Sequence, residues 1–355
     1  MDAVPVNTLN APVGIMIFTL GGLAGAVFYL PFKKVKGWAW ESYWLVYAAF
    51  GLILVPWILT FMTSPNVLSV IRTAPANELA YCFLCGAAWG FGGLTWGLMI
   101  RYLGFGLGLA MGAGLTSAAG TLIPPMLKGS AAITAMFATP GGIVSLVSAA
   151  VSLIGIVFVG MAGRSKEGEL SEEQKWKTVA EFNFRKGILV AIFSGLMSSA
   201  MSFGLQGGQS MQKAALTIEP RTSIIWAGMP ALAVVLLGGF AINFVWCLFL
   251  NVKNHSAKDY VSKGIPILPN LIFAAIAGAV WCSQFICFKT GEPKMGNTSY
   301  IGWAVLMASQ IFFSQLLGIA LGEWRGTGKT TRRLLTTGLL LLIASAVIAG
   351  YGGSL

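Results

Sequence analysis

Residues 322–331 read GEWRGTGKTT, and a glycine-rich run closing on Gly-Lys-Thr is the form of a nucleotide-binding loop, whose backbone N–H groups converge on phosphate. That pattern needs glycine at position 323. This chain has Glu323 there, a carboxylate facing phosphate, and Gly322 stands one residue too early. Cys82 and Cys85 form a C-x-x-C pair, a spacing that can hold a metal or a redox disulfide. A third chemistry is offered by Gln206, Asn243, Gln284, Gln310 and Gln315 together with Trp89, Trp96, Trp226, Trp281 and Trp303. An amide both donates and accepts, which matches the neighbouring hydroxyls of a polyol, and an indole face packs against the C–H side of a sugar ring. For a neutral polar solute the candidate binding residues are Trp89, Trp96, Gln206, Trp281, Gln284 and Gln310. No Ser/His/Asp set or metal-ligand constellation emerges, and the lone His255 reads as a solvated loop residue, so neither an enzyme nor a bound cofactor is expected.

The surroundings of these residues decide among the three chemistries. The 355 residues are 56% hydrophobic and 10% charged, against about 25% charged in a soluble domain, and the mean hydropathy is +0.77. Crossing a ~30 Å hydrocarbon layer takes about 20 apolar residues as helix. Such stretches recur ten times, near 13–30, 43–61, 79–99, 104–123, 141–161, 187–206, 223–250, 268–288, 300–321 and 334–351. Continuous apolar runs read as helices, because barrel strands alternate. The expected fold is therefore an all-α integral membrane protein of about ten transmembrane helices. Only Asp2 stands as a charge before the first stretch, where a secretory signal would carry Lys or Arg, so this span is expected to be retained.

The net charge of +11 sorts by loop: 17 of the 23 lysines and arginines fall in one set of alternate loops. Basic residues accumulate on the cytoplasmic side, which places both termini on the outer face and removes the case for nucleic acid. Residues 322–331 then form a short basic cytoplasmic turn between two spans, with no α/β domain to bind ATP. Cys82 and Cys85 fall inside the third span, and all five cysteines read as packing residues.

The longest polar segment, 164–185, divides the spans five and five. An odd number per half inverts the second half, the plan of many secondary transporters, so the reading is two inverted five-helix repeats, 1–163 and 186–355, joined by a cytoplasmic linker over 164–185. In the fourth span Gly104, Gly108 and Gly112 recur every four residues, a spacing that lets helix backbones approach closely, and Pro124-Pro125 is expected to end that span. None of the twelve carboxylates lies centrally in a span. If a proton drives transport, its carriers must be span-end carboxylates, Glu41, Glu78 or Glu323, with Glu41 and Glu78 preferred.

Four runs carry a family resemblance: FYLPFKKVKGWAWESYW over 28–44, GAAWGFGGLTWGLMIRYLG over 86–104, GTLIPPMLKG over 120–129 and WCSQFICFKTGEPKMG over 281–296, supported by SAMSFGLQ over 199–206 and the GEW at 322–324. They resemble the corresponding stretches of the L-rhamnose/proton symporter family of the drug/metabolite transporter superfamily. The resemblance implies a multi-pass protein of the bacterial inner membrane that takes up L-rhamnose, or a related deoxy-sugar, with a proton by alternating access. Two other functions are consistent with the residues: an exporter or exchanger of another small metabolite, and a membrane sugar sensor that does not transport.

Overall fold

The computed structural model describes residues 10–127, 129–130, 134, 137–169, 183–262, 264–295 and 301–352. Among them the regular elements are all helical. Within a bilayer each backbone N–H and C=O must be satisfied inside the segment, which a long apolar run achieves only as helix. Ten long helices organise the described residues: α1 Ala11–Val27, α2 Trp40–Thr63, α3 Ala76–Leu103, α4 Phe105–Leu127, α5 Pro140–Glu169, α6 Phe184–Thr217, α7 Met229–Lys253, α8 Ile267–Met295, α9 Ile301–Ala320 and α10 Lys329–Gly352. Eight segments meet the length and composition needed to cross a membrane, and α4 and α9 supply the remaining two apolar helices. The chain is an all-α multi-pass membrane protein of about ten helices.

Glycine separates α3 from α4, where Gly104 adopts φ +86°, a left-handed conformation that a Cβ would strain. The pair Pro124-Pro125 does not end α4, which continues to Leu127. Proline is tolerated in membrane helices because neighbouring groups satisfy the freed carbonyls. The fifth helix likewise runs past its expected end near 161 to Glu169. Most of the 164–185 segment lies outside the described residues.

Two compact units emerge, and each draws on both halves of the sequence. The first comprises Met1–Ala26, Gly92–Ser199 and Gly291–Leu355; the second comprises Val27–Phe91 and Ala200–Thr290.

The first unit is packed through small residues. The Ser148 hydroxyl on α5 donates to the Ser345 carbonyl on α10 at 2.7 Å, and a Cβ on Gly338 would sit 2.8 Å from the Val159 nitrogen. Thr116 on α4 donates to the Gly195 carbonyl on α6 at 3.2 Å. Such hydroxyl-to-carbonyl bonds and close backbone approaches hold helices together where burial from water gives no drive.

The second unit has close backbone contacts too, joined to an aromatic interior. A Cβ at Gly86 on α3 would run into the Val235 carbonyl of α7, and one at Gly238 would run into the Phe83 carbonyl. Gly239 lets the Trp89 ring lie against α7, since a Cβ there would come within 2.6 Å of the indole. From α2, the Trp44 indole N–H donates to Asn243 on α7 at 2.8 Å. Midway along α2 the backbone loosens into a π-helical stretch, Ala49–Leu54, whose Gly51 packs against Gly278 of α8.

Candidate functional site

The sequence-derived candidates fall into both units. In the second, Trp89 of α3 and Trp281 of α8 stack, with ring centroids 4.8 Å apart and planes 28° from parallel. Both indoles are buried, at 5% and 6% exposure. Gln284 follows Trp281 by three residues on α8, hence on nearly the same helical face, and is buried. Gln206, also in this unit, is exposed. The remaining two belong to the first unit and are occupied locally: the Trp96 indole N–H donates to Ser198 at 2.7 Å, and the Gln310 amide donates to the Gly25 carbonyl at 3.1 Å. The structure therefore joins Trp89 to Trp281, and gives Trp96 and Gln310 packing partners of their own.

The carboxylates separate by environment. Glu78, at the start of α3, accepts the backbone N–H groups of Ser210 and Met211 at 3.3 and 3.1 Å. These are first-turn amides of the segment Gln209–Thr217, so Glu78 caps that helix from outside. Glu41, in the first turn of α2, is only 4% exposed. It accepts from the Ser256 hydroxyl at 2.7 Å and the Asn254 amide at 2.9 Å. One residue on, Ser42 donates to Asp259 at 2.8 Å, and Asp259 also accepts the Ala39 N–H at 2.7 Å. Asn251 lies between the two serines, its carbonyl oxygen 3.3 Å from the Ser256 hydroxyl and 3.4 Å from that of Ser42. Above them the Tyr260 hydroxyl donates to the Ser42 carbonyl at 3.0 Å, and burial pushes this phenol's pKa up to about 12. Among the described residues no lysine or arginine pairs with Glu41 or Asp259.

Glu323 differs. It is 1% exposed and accepts the Gly106 N–H at the start of α4 at 2.9 Å, a position where the helix dipole favours negative charge. Its charge acts on Lys166 of α5, itself 1% exposed, whose ammonium lies 4.8 Å from the Trp324 ring centroid. Gln315 of α9 donates to the Gly106 carbonyl. The GEW run, 322–324, thus packs at the head of α4; it opens on Gly322 at φ +75°, and Gly326 two residues beyond it has φ +80°.

Sequence reading missed three of these features. Asp259 and Ser256 join Glu41 from 215 or more positions away in the chain. No spacing rule signals such a contact, although the paired Trp-Glu-Ser of α2 and the Asn-His-Ser-Ala-Lys-Asp run after α7 are polar groups at span ends. Lys166, expected in a solvated linker, is buried on α5. On α2, Trp44 and Tyr47 form a ring cluster with Phe32, with centroids 4.6 Å apart for Trp44–Tyr47 and 5.8 Å for Phe32–Trp44, which was visible as composition only.

Comparison with known proteins places the chain. The sequence pattern of the L-rhamnose-proton symport protein (RhaT) family matches residues 8–354. The L-rhamnose-proton symporter of Cronobacter sakazakii is 32% identical over 346 residues, covering 96% of this chain and 97% of that protein. That of Klebsiella pneumoniae is likewise 32% identical over 346 residues, covering 96% and 97%, and that of Yersinia pestis is 31% identical over 344 residues, with the same coverage. No solved structure matches. At this identity over nearly the full length of both partners, the chain belongs to the L-rhamnose-proton symport protein family.

Proposed function

We propose that this protein takes up L-rhamnose, or a closely related deoxy-sugar, across a bacterial inner membrane together with a proton, by alternating access of a binding site at membrane depth. The named activity of relatives aligned along nearly the whole chain supports the sugar and the coupling ion. One structural observation carries the assignment to residues: a single compact unit holds both the stacked Trp89–Trp281 pair, suited to a sugar face, and a buried carboxylate, Glu41, whose partners are all neutral.

Neutral partners matter because a proton carrier must exist in both charge states. Adding a proton to Glu41 leaves no opposite charge stranded, whereas adding one to Glu323 would leave Lys166 buried without its counter-charge. Glu41 is thus the proton carrier in this reading, Glu78 a helix cap and Glu323 a structural charge. Trp281 and Trp89 offer the sugar an aromatic surface, and Gln284 offers an amide. Trp96, Gln206 and Gln310 keep a role only if they reach the sugar in another conformation of the transport cycle.

A proton entering down about 100 mV releases roughly 2.3 kcal/mol, which sustains about a 50-fold sugar gradient with no ATP. Alternating access suits two inverted halves, 1–163 and 186–355, joined by the 164–185 segment, with both termini on the outer face. Uptake of radiolabelled L-rhamnose by vesicles carrying the purified protein tests the reading. Accumulation that collapses with an uncoupler is expected, and efflux-only exchange or binding without accumulation would replace it with an exporter or a sensor.

A further inference from the structure

Buried tyrosines and tryptophans ordinarily find a partner for their polar atom, and two of this protein's indoles do: Trp44 donates to Asn243 and Trp96 to Ser198. Three neighbouring rings depart from that pattern. Tyr47 is 3% exposed, Trp89 5% and Trp281 6%. Tyr47 meets Trp281 edge-on at 6.1 Å between centroids, and Trp281 stacks on Trp89. Among the described residues no group hydrogen-bonds the Tyr47 hydroxyl or the indole N–H of Trp89 or Trp281. Unlike the indole nitrogens of Trp38 and Trp324, which are sealed, these three polar atoms keep access to a partner from outside the protein, and all three sit in one chain of ring contacts.

A second observation concerns the backbone. The π-helical stretch of α2 begins at Ala49, two residues beyond Tyr47, with the Val55 N–H bonded to the Phe50 carbonyl five positions back. Single π turns inside α-helices occur frequently at functional sites. The extra residue per turn resets the faces of α2 on either side of the stretch, and Tyr47 lies at its edge.

We infer that Tyr47 is a substrate-contact residue that fixes which sugar is accepted. This deepens the proposed function and rests on it. The phenol donates to one hydroxyl oxygen of the sugar and accepts from a neighbouring hydroxyl, while the two indole N–H groups donate only. Trp44 and Phe285, in ring contact with Tyr47 and Trp281 respectively at 4.6 and 4.9 Å, make the flanks apolar. Such a set of rings and donors suits a sugar bearing a C–H face and a methyl group beside its hydroxyls, the chemistry of a neutral 6-deoxyhexose. A site built to pair a hydroxyl discriminates strongly against an analogue lacking it.

Tyr47→Phe keeps the ring and removes only the hydroxyl. Full-length protein in lipid nanodiscs, titrated with L-rhamnose and with its mono-deoxy analogues and followed by tryptophan fluorescence, reads the effect. Wild type should bind L-rhamnose about 10-fold more tightly than one particular mono-deoxy analogue. Y47F should bind L-rhamnose about 10-fold more weakly than wild type and lose its preference over that same analogue. Loss of a packing role would weaken all analogues alike and overturn the inference. An unchanged Kd with unchanged ranking would overturn it as well. If wild type itself shows no saturable L-rhamnose binding, the sugar assignment fails and this inference falls with it; intact wild-type binding with an indifferent Y47F defeats this inference alone.

Discussion

Glu41 and Glu323 are both carboxylates at span ends, both nearly sealed from solvent at 4% and 1% exposure, and their neighbourhoods do opposite things. Around Glu41 stand a serine hydroxyl and an asparagine amide, groups that can turn to suit either protonation state. Both stand at a helix N-terminus, but Glu323 alone also has the charge of a buried lysine, Lys166, beside it, which favours one state only. Burial alone therefore does not identify a proton carrier. The sign and mobility of the neighbouring groups do.

The contrast can be broken most severely at Glu323. Glu323→Gln strands the Lys166 charge in the interior, a change of the kind that costs about 3–5 kcal/mol. The yield of folded protein and its thermal midpoint in detergent should fall sharply, and Lys166→Met in the same chain should restore most of the loss. A Glu323→Gln protein of wild-type stability would contradict the structural role. Next comes Glu41→Gln, which preserves size and hydrogen bonding. The roughly 50-fold accumulation available from the gradient should drop to equilibration, while sugar exchange across the membrane persists; retained accumulation would transfer the proton to another group. Gln284→Ala, in the same unit, should lower uptake about 10-fold with the protein still reaching the membrane, and unchanged uptake would remove it from the site.

The smallest effect concerns Tyr260. Its pKa of about 12 exceeds the unfolded value near 10, so the folded state holds this proton more tightly. The resulting stabilisation is complete below about pH 10 and is lost as pH rises toward 12. Beyond a pH-independent loss of its bond to the Ser42 carbonyl, Tyr260→Phe should remove that alkaline limb of the stability profile and leave the pH dependence of transport between 5 and 8 untouched.

How far the sequence carries depends on the range of the interaction. Helix identity was legible because it is local: ten apolar runs admit no other structure in lipid, and all ten expected stretches needed only shifts at their ends. Only the stop expected at Pro124-Pro125 in the fourth misled, because proline stops helices in water and is tolerated in membranes. Trp89 and Trp281 were legible as chemistry, yet their stacking joins residues 192 positions apart, which composition does not encode. The Glu41 network was half legible. Its carboxylate stood out in a sparsely charged chain, but Ser256 and Asp259 come from a loop whose sequence resembles any short polar connection. Lys166 was misplaced since the helix that buries it continues through residues that read as linker.

The central claim is that Glu41 carries the proton that drives sugar uptake. Radiolabelled L-rhamnose uptake should be measured in vesicles bearing wild type or Glu41→Gln, with an imposed inward proton gradient and with the gradient collapsed. The account predicts gradient-dependent accumulation by wild type, and uptake by Glu41→Gln that equals the uncoupled wild-type level in both conditions. Gradient-driven accumulation by Glu41→Gln would contradict it.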